Sequence, residues 1–103
     1  MAPECVFDRK YSLASDVWSF AVFCFEVFTM GGTPYKEMSP EGTVLAVQRG
    51  YRLPCPPMCP ENVYVLMLQC WQVDPHARPA FAAIHAALRA VEDADAEEAG
   101  VAL

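Results

Sequence analysis

The segment from Asp16 to Met30 is almost free of polar side chains, and that constrains everything else the chain can do. Ser15 stands before it as a helix cap and Gly31-Gly32 after it as a stop. Between them Val17, Trp18, Phe20, Val22, Phe23, Phe25, Val27 and Phe28 leave no polar face. A helix that is apolar all round is buried all round. The Val and Phe runs also suit a strand, but the length between cap and double glycine selects helix. Ser19, Glu26 and Thr29, together with the short length, rule out a membrane span. The segment therefore predicts a hydrophobic axis that other elements must surround.

Those elements are marked off by prolines. Pro3 to about Val6 predicts a short helical turn, followed by a polar link over residues 8–12. Ser39-Pro40 has the cap-then-proline signature of a helix start, and that helix ends at Gly50 after Arg49. Pro54, Pro56, Pro57 and Pro60 then forbid a helix. Val63, Leu66, Met67, Cys70 and Trp71 fall on one helical face. Asp74-Pro75 marks a turn, and Pro79 opens a last helix whose Phe81, Ile84, Leu88 and Val91 form a stripe. Beyond Val91 the stripe is lost, so residues 92–103 are expected to be an acidic, disordered tail. The prediction is an all-α piece of about five helices over residues 1–91.

Composition narrows the function classes. At 103 residues the chain is one domain or part of one. Its hydrophobic fraction of 54% exceeds the roughly 45–50% of ordinary soluble domains, which implies a surface that expects a partner. The net charge is −6, but five of the thirteen acids lie in Glu92–Glu98, leaving eight acids against seven bases in the body. Nucleic-acid binding, which needs a basic patch, is excluded on that ground. Five irregularly spaced cysteines, an odd number, fit a reducing, cytoplasmic setting. Cys55 and Cys59 lack the second ligand pair that structural zinc needs, so no metal site is expected. Met1 leads into Ala-Pro-Glu, which is no signal peptide.

Five short motifs then stand in a telling order: Ala2-Pro3-Glu4, Asp16-Val17-Trp18-Ser19-Phe20, Gly32-Thr33-Pro34-Tyr35, Cys70-Trp71 and Arg78-Pro79-x-Phe81. From Ala-Pro-Glu to about Val91 the chain resembles the C-terminal part of a tyrosine-protein kinase domain, so its fold should be the lower part of a kinase C-lobe. Pro34 and Tyr35, Arg52-Leu53-Pro54-x-Pro56, Cys59-Pro60 and Tyr64-x-x-Met67 resemble the tyrosine-specific, receptor-like branch. The resemblance implies that Glu4 and Arg78 form a buried ion pair, with Pro3 and Pro79 in register beside them. It implies core packing for Trp18 and Trp71. The family aspartate matching Asp16 bonds the catalytic loop; here Asp16 is expected to serve as a first-turn acid against the helix dipole. Ala21 and Phe25 stand where the family usually has Gly and Trp. Tyr64-x-x-Met67 also looks like a phosphotyrosine docking string, but it sits on a buried stripe. Tyr11 and Tyr35, in loops, are better candidates for modification.

The chemistry of a kinase needs a Gly-rich phosphate loop, a strand lysine, a catalytic His-Arg-Asp and a metal-binding Asp-Phe-Gly. None is present in these residues: the five glycines give no G-x-G-x-x-G, and His76 and His85 are followed by Ala. No catalytic, cofactor-binding or metal residue is assigned. ATP and Mg are expected only in a full-length parent, whose N-lobe and catalytic loop would be the partners of this part. The chain alone is expected to be inactive. The alternative is a non-catalytic, kinase-derived module that binds another kinase or a chaperone; a small helical interaction module is the third reading. The expected location is cytoplasmic, including the cytoplasmic part of a membrane receptor.

Overall fold

In a computed structural model, which describes residues 2–35 and 38–98, the apolar segment is a helix that starts earlier than its sequence suggested. This helix, α2, runs Leu13–Phe28, following α1 at Pro3–Phe7. Its cap is Ser12, not Ser15. The Ser15 N–H donates to Ser12 Oγ at 3.3 Å, and the Ser12 N–H donates back to Ser15 Oγ at 2.8 Å. This reciprocal box satisfies two orphan helix donors at once. Ser15 also donates its hydroxyl to the Ser12 carbonyl, so its burial leaves no polar atom unpaired.

The stop also falls a residue away from its expected place. The Met30 N–H donates to the Val27 carbonyl at 3.1 Å, and the Gly31 N–H to the Glu26 carbonyl at 2.8 Å. These are the two bonds of a Schellman ending, and the left-handed residue it requires is Met30, at φ 56°. Gly31 follows at φ 90°. Gly32 is needed for a different reason: a Cβ there would lie 2.5 Å from Thr29 Oγ1. That oxygen accepts the Gly32 N–H at 3.0 Å.

The remaining helices are α3 (Pro40–Gln48), α4 (Glu61–Cys70) and α5 (Phe81–Glu98), with a 3-10 turn at Pro75–Ala77. Ser39 caps α3 by accepting the Gly42 N–H, and Gly50 at φ 103° ends it. Pro79 lies before α5, which opens at Phe81 and not at the proline. Residues 92–98, assigned from sequence to the tail, continue α5 as helical backbone; Ala and Glu are good helix formers even without an apolar stripe. Residues 99–103 lie outside the described residues. Among the described residues there is no strand, so the fold is all-α with five helices, as part of a kinase C-lobe should be.

The core forms where α2 crosses α4 and α4 meets α5, while α1 rests on α3. Val17, Trp18, Ala21 and Phe25 of α2 meet Val63, Met67 and Cys70 of α4, with Leu53, Trp71 and Ile84 closing the cluster. Ala21 is buried here, so its methyl is accommodated. The expectation that α2 is buried all round is not met. Leu13, Phe23, Val27 and Met30 are 76%, 59%, 56% and 86% exposed, and Phe20 is half-buried beside them. Spaced at heptad intervals, they make an apolar stripe left bare except where the Phe81 ring of α5 meets Phe20 edge-on at 5.9 Å. No helix among the described residues is long and apolar enough to cross a membrane.

Candidate functional site

Arg78 sits in the extended link between the 3-10 turn and α5, with a side chain that is 0% exposed. Its guanidinium meets Glu4 as two forks, Nη1 to Oε2 at 2.8 Å and Nη2 to Oε1 at 2.9 Å. The remaining donors are also used. Nε donates to the Gln72 carbonyl at 2.8 Å, Nη1 to that of Ala14 at 3.0 Å and Nη2 to that of Val73 at 3.4 Å. Every N–H of the fork is thereby matched, which is the condition under which a buried charge pair is tolerable. The pair joins α1, the start of α2 and the chain after α4 at one point. The hydrogen bonds from Arg78 hold the Glu4 carboxyl below the usual carboxylate range, against the opposing effect of burial.

Trp18 forms the floor of this anchor, its ring centroid 5.0 Å from the Arg78 guanidinium carbon. Arg52 approaches the same ring at 5.8 Å and donates Nη1 to the Val47 and Tyr51 carbonyls at 2.8 and 2.7 Å. Sequence reasoning noted Arg52 only as part of a motif. Its signal was its place directly before Leu53, a core residue only 2% exposed. Trp71 is wholly enclosed.

The other expected residues are dispersed. Asp16 is exposed in the first turn of α2, and its carboxylate makes no bond among the described residues. Pro79 is half-buried next to Arg78. Pro34 and Tyr35 line a separate cavity of about 290 Å³ with Val6, Met38, Pro40 and Val44. Tyr35 has a left-handed backbone, at φ 53°, and burial pushes its phenol up to about 12. Its hydroxyl is buried, so the expectation of a readily modified loop tyrosine does not hold there. Tyr11 is 68% exposed. Tyr64 is half-buried and donates its hydroxyl to the Leu53 carbonyl at 2.6 Å, a structural use that competes with docking.

This arrangement holds chain segments together. Both Glu4 oxygens are committed to Arg78, so the carboxylate is not a free base. No three His, Cys, Asp or Glu side chains among the described residues gather as a metal site.

A buried Glu–Arg anchor on an all-α frame is the arrangement that the resemblance to a protein-kinase C-lobe implies. A family model described as protein tyrosine and serine/threonine kinase matches residues 1–88, and the chain belongs to that family. Within it, these residues are part of a tyrosine-kinase catalytic domain. The human tyrosine-protein kinase Srms is 50% identical over 90 residues, 87% of this chain and 18% of that protein. The transforming protein Fps of Fujinami sarcoma virus is 47% identical over 90 residues, 87% of this chain and 10% of its own length. The zebrafish (Danio rerio) ephrin type-B receptor 4b is 46% identical over 87 residues, 84% of this chain and 9% of its own. The chain thus spans less than a fifth of each of these relatives.

Proposed function

We propose that these residues serve as the base of the C-lobe in a protein-tyrosine kinase that transfers the γ-phosphate of ATP to tyrosine hydroxyls. ATP and Mg are held by residues outside this chain, in the N-lobe and catalytic loop of the same protein. The observation that carries the reading is the intact, fully bonded Glu4–Arg78 pair, which ties the start of the chain to the link before α5. Its part in the reaction is positional: it fixes the segment around Ala-Pro-Glu against the helices beneath it. The bare stripe on α2 is the face that the remainder of the catalytic domain covers. Five free cysteines support a reducing, cytoplasmic location. The relatives do not favour the alternative of a stand-alone module binding another kinase or a chaperone.

The test is a tyrosine-phosphorylation assay with Mg-ATP and a Glu/Tyr copolymer. A full-length protein containing this segment should phosphorylate it, and Arg78→Met should lower the rate at least tenfold. The 103-residue chain alone should give no transfer. It should also show no melting shift with Mg-ATP, since only a ligand that binds the folded state raises stability. Transfer by the short chain, or an inactive full-length protein, would overturn the reading.

A further inference from the structure

The loop between α3 and α4 brings two thiols onto one turn. Pro54, Pro56, Pro57 and Pro60 restrict its backbone, and the Cys59 N–H closes it on the Pro56 carbonyl at 3.0 Å. Across this turn Cys55 Sγ lies 3.7 Å from the Cys59 carbonyl oxygen, four residues on. Their surroundings differ. Cys55 is the only exposed cysteine of the five, whereas Cys59 is buried with its sulfur 3.9 Å from Met67 Sδ in the core. Nothing in the kinase reading uses either thiol.

We propose that Cys55 and Cys59 are an oxidation site, forming a reversible intramolecular disulfide when the protein meets hydrogen peroxide. The Cys55 sulfur attacks one peroxide oxygen; the O–O bond breaks, a sulfenic acid forms and one water leaves with the thiol proton. The Cys59 sulfur then attacks the Cys55 sulfur. The S–O bond breaks, and the departing hydroxide takes the Cys59 proton as a second water. Two thiols have lost one electron each to a single peroxide. A thiol reductant restores both.

The division of roles follows from exposure. Burial, and then the neighbouring Cys55, push the Cys59 thiol up to about 11, so it stays protonated until an electrophilic sulfur stands beside it. Disulfides of cytosolic proteins are typically transient and redox-sensing, which suits a pair with one sulfur at the surface. Closing the bond draws Cys59 away from Met67, so oxidation reaches the core at the start of α4.

The experiment is peroxide treatment of the full-length protein, then alkylation, tryptic digestion and mass spectrometry. Arg78 precedes Pro79 and resists trypsin, so one peptide, Leu53–Arg89, carries Cys55, Cys59 and Cys70. It should appear two hydrogens lighter with only Cys70 alkylated, and revert with dithiothreitol. Cys55→Ser, at an exposed position, should abolish the loss. Cys59→Ser should leave a Cys55 sulfenic acid that dimedone traps. The proposal is overturned if Cys55 stays fully alkylated after peroxide, or if wild type accumulates sulfenic acid without a disulfide. Pairing of Cys59 with Cys24 or Cys70 that persists in Cys55→Ser would overturn it equally.

Discussion

Without the Arg78 guanidinium, Glu4 keeps its charge in a site that water scarcely reaches. Arg78→Met in the full-length kinase should therefore cost about 3–5 kcal/mol, measured by urea unfolding. Arg78→Lys keeps the charge but offers three donors where five are used, and should still cost about 1–3 kcal/mol. The pair also sets a pH dependence. Because the folded carboxyl titrates below its ordinary value of 4.5, the stability it supplies is complete above that pH and is lost as pH falls through the lowered value. Between pH 7 and pH 3 the melting temperature of wild type should drop further than that of Glu4→Gln; equal drops would remove Glu4 from the acid response. The pairing was legible because both partners lie in recognisable tripeptides. Arg52 was legible only as a motif member before Leu53, since its partners are an aromatic face and two carbonyls.

At the scale of elements, the helices were legible and their ends were not. Gly50 takes the left-handed position after α3, where a glycine is expected, but after α2 that position falls on Met30. A left-handed non-glycine residue costs about 1–2 kcal/mol, partly offset by the entropy that glycine would lose. Met30→Gly should thus stabilise the protein by up to about 1 kcal/mol, seen as a higher urea midpoint with an unchanged slope. Ser12→Ala should destabilise it by about 1 kcal/mol through the capping box. If Ser12→Ala were silent, the box would be no more than a surface geometry. Ser15 looked like the cap because it adjoins Asp16 and the apolar run; what settled the start was the reciprocal bond it makes to Ser12.

For the molecule as a whole, the described residues are elongated, 48 Å along the longest axis and 20 Å along the shortest. The radius of gyration is 14.8 Å, against about 13 Å for a compact domain of this length. With the α2 stripe bare, the 103-residue chain by itself should show helical far-ultraviolet dichroism and bind a hydrophobic dye strongly. Phe23→Ser with Val27→Ser should lower that dye signal and spare the helix. In the full-length kinase Phe23→Ala should cost about 3–5 kcal/mol, because there the ring is enclosed. A small cost in the full-length protein would mean that the stripe faces solvent there too. The all-round apolar character of α2 predicted burial on every side, and these residues bury only part of it. Sequence could not say that these residues supply only one side of it.

Glu4 and Arg78 lie 74 positions apart, and that separation orders events in time. A ribosome adding about 5–20 residues per second releases Arg78 roughly 4–15 s after Glu4. Through that interval α1, five residues long, has neither its guanidinium partner nor enough turns to persist alone. Of the five helices here, α1 is made before the others yet is among the last to dock, and the nascent chain carries its Ala-Pro-Glu segment loose until the anchor arrives.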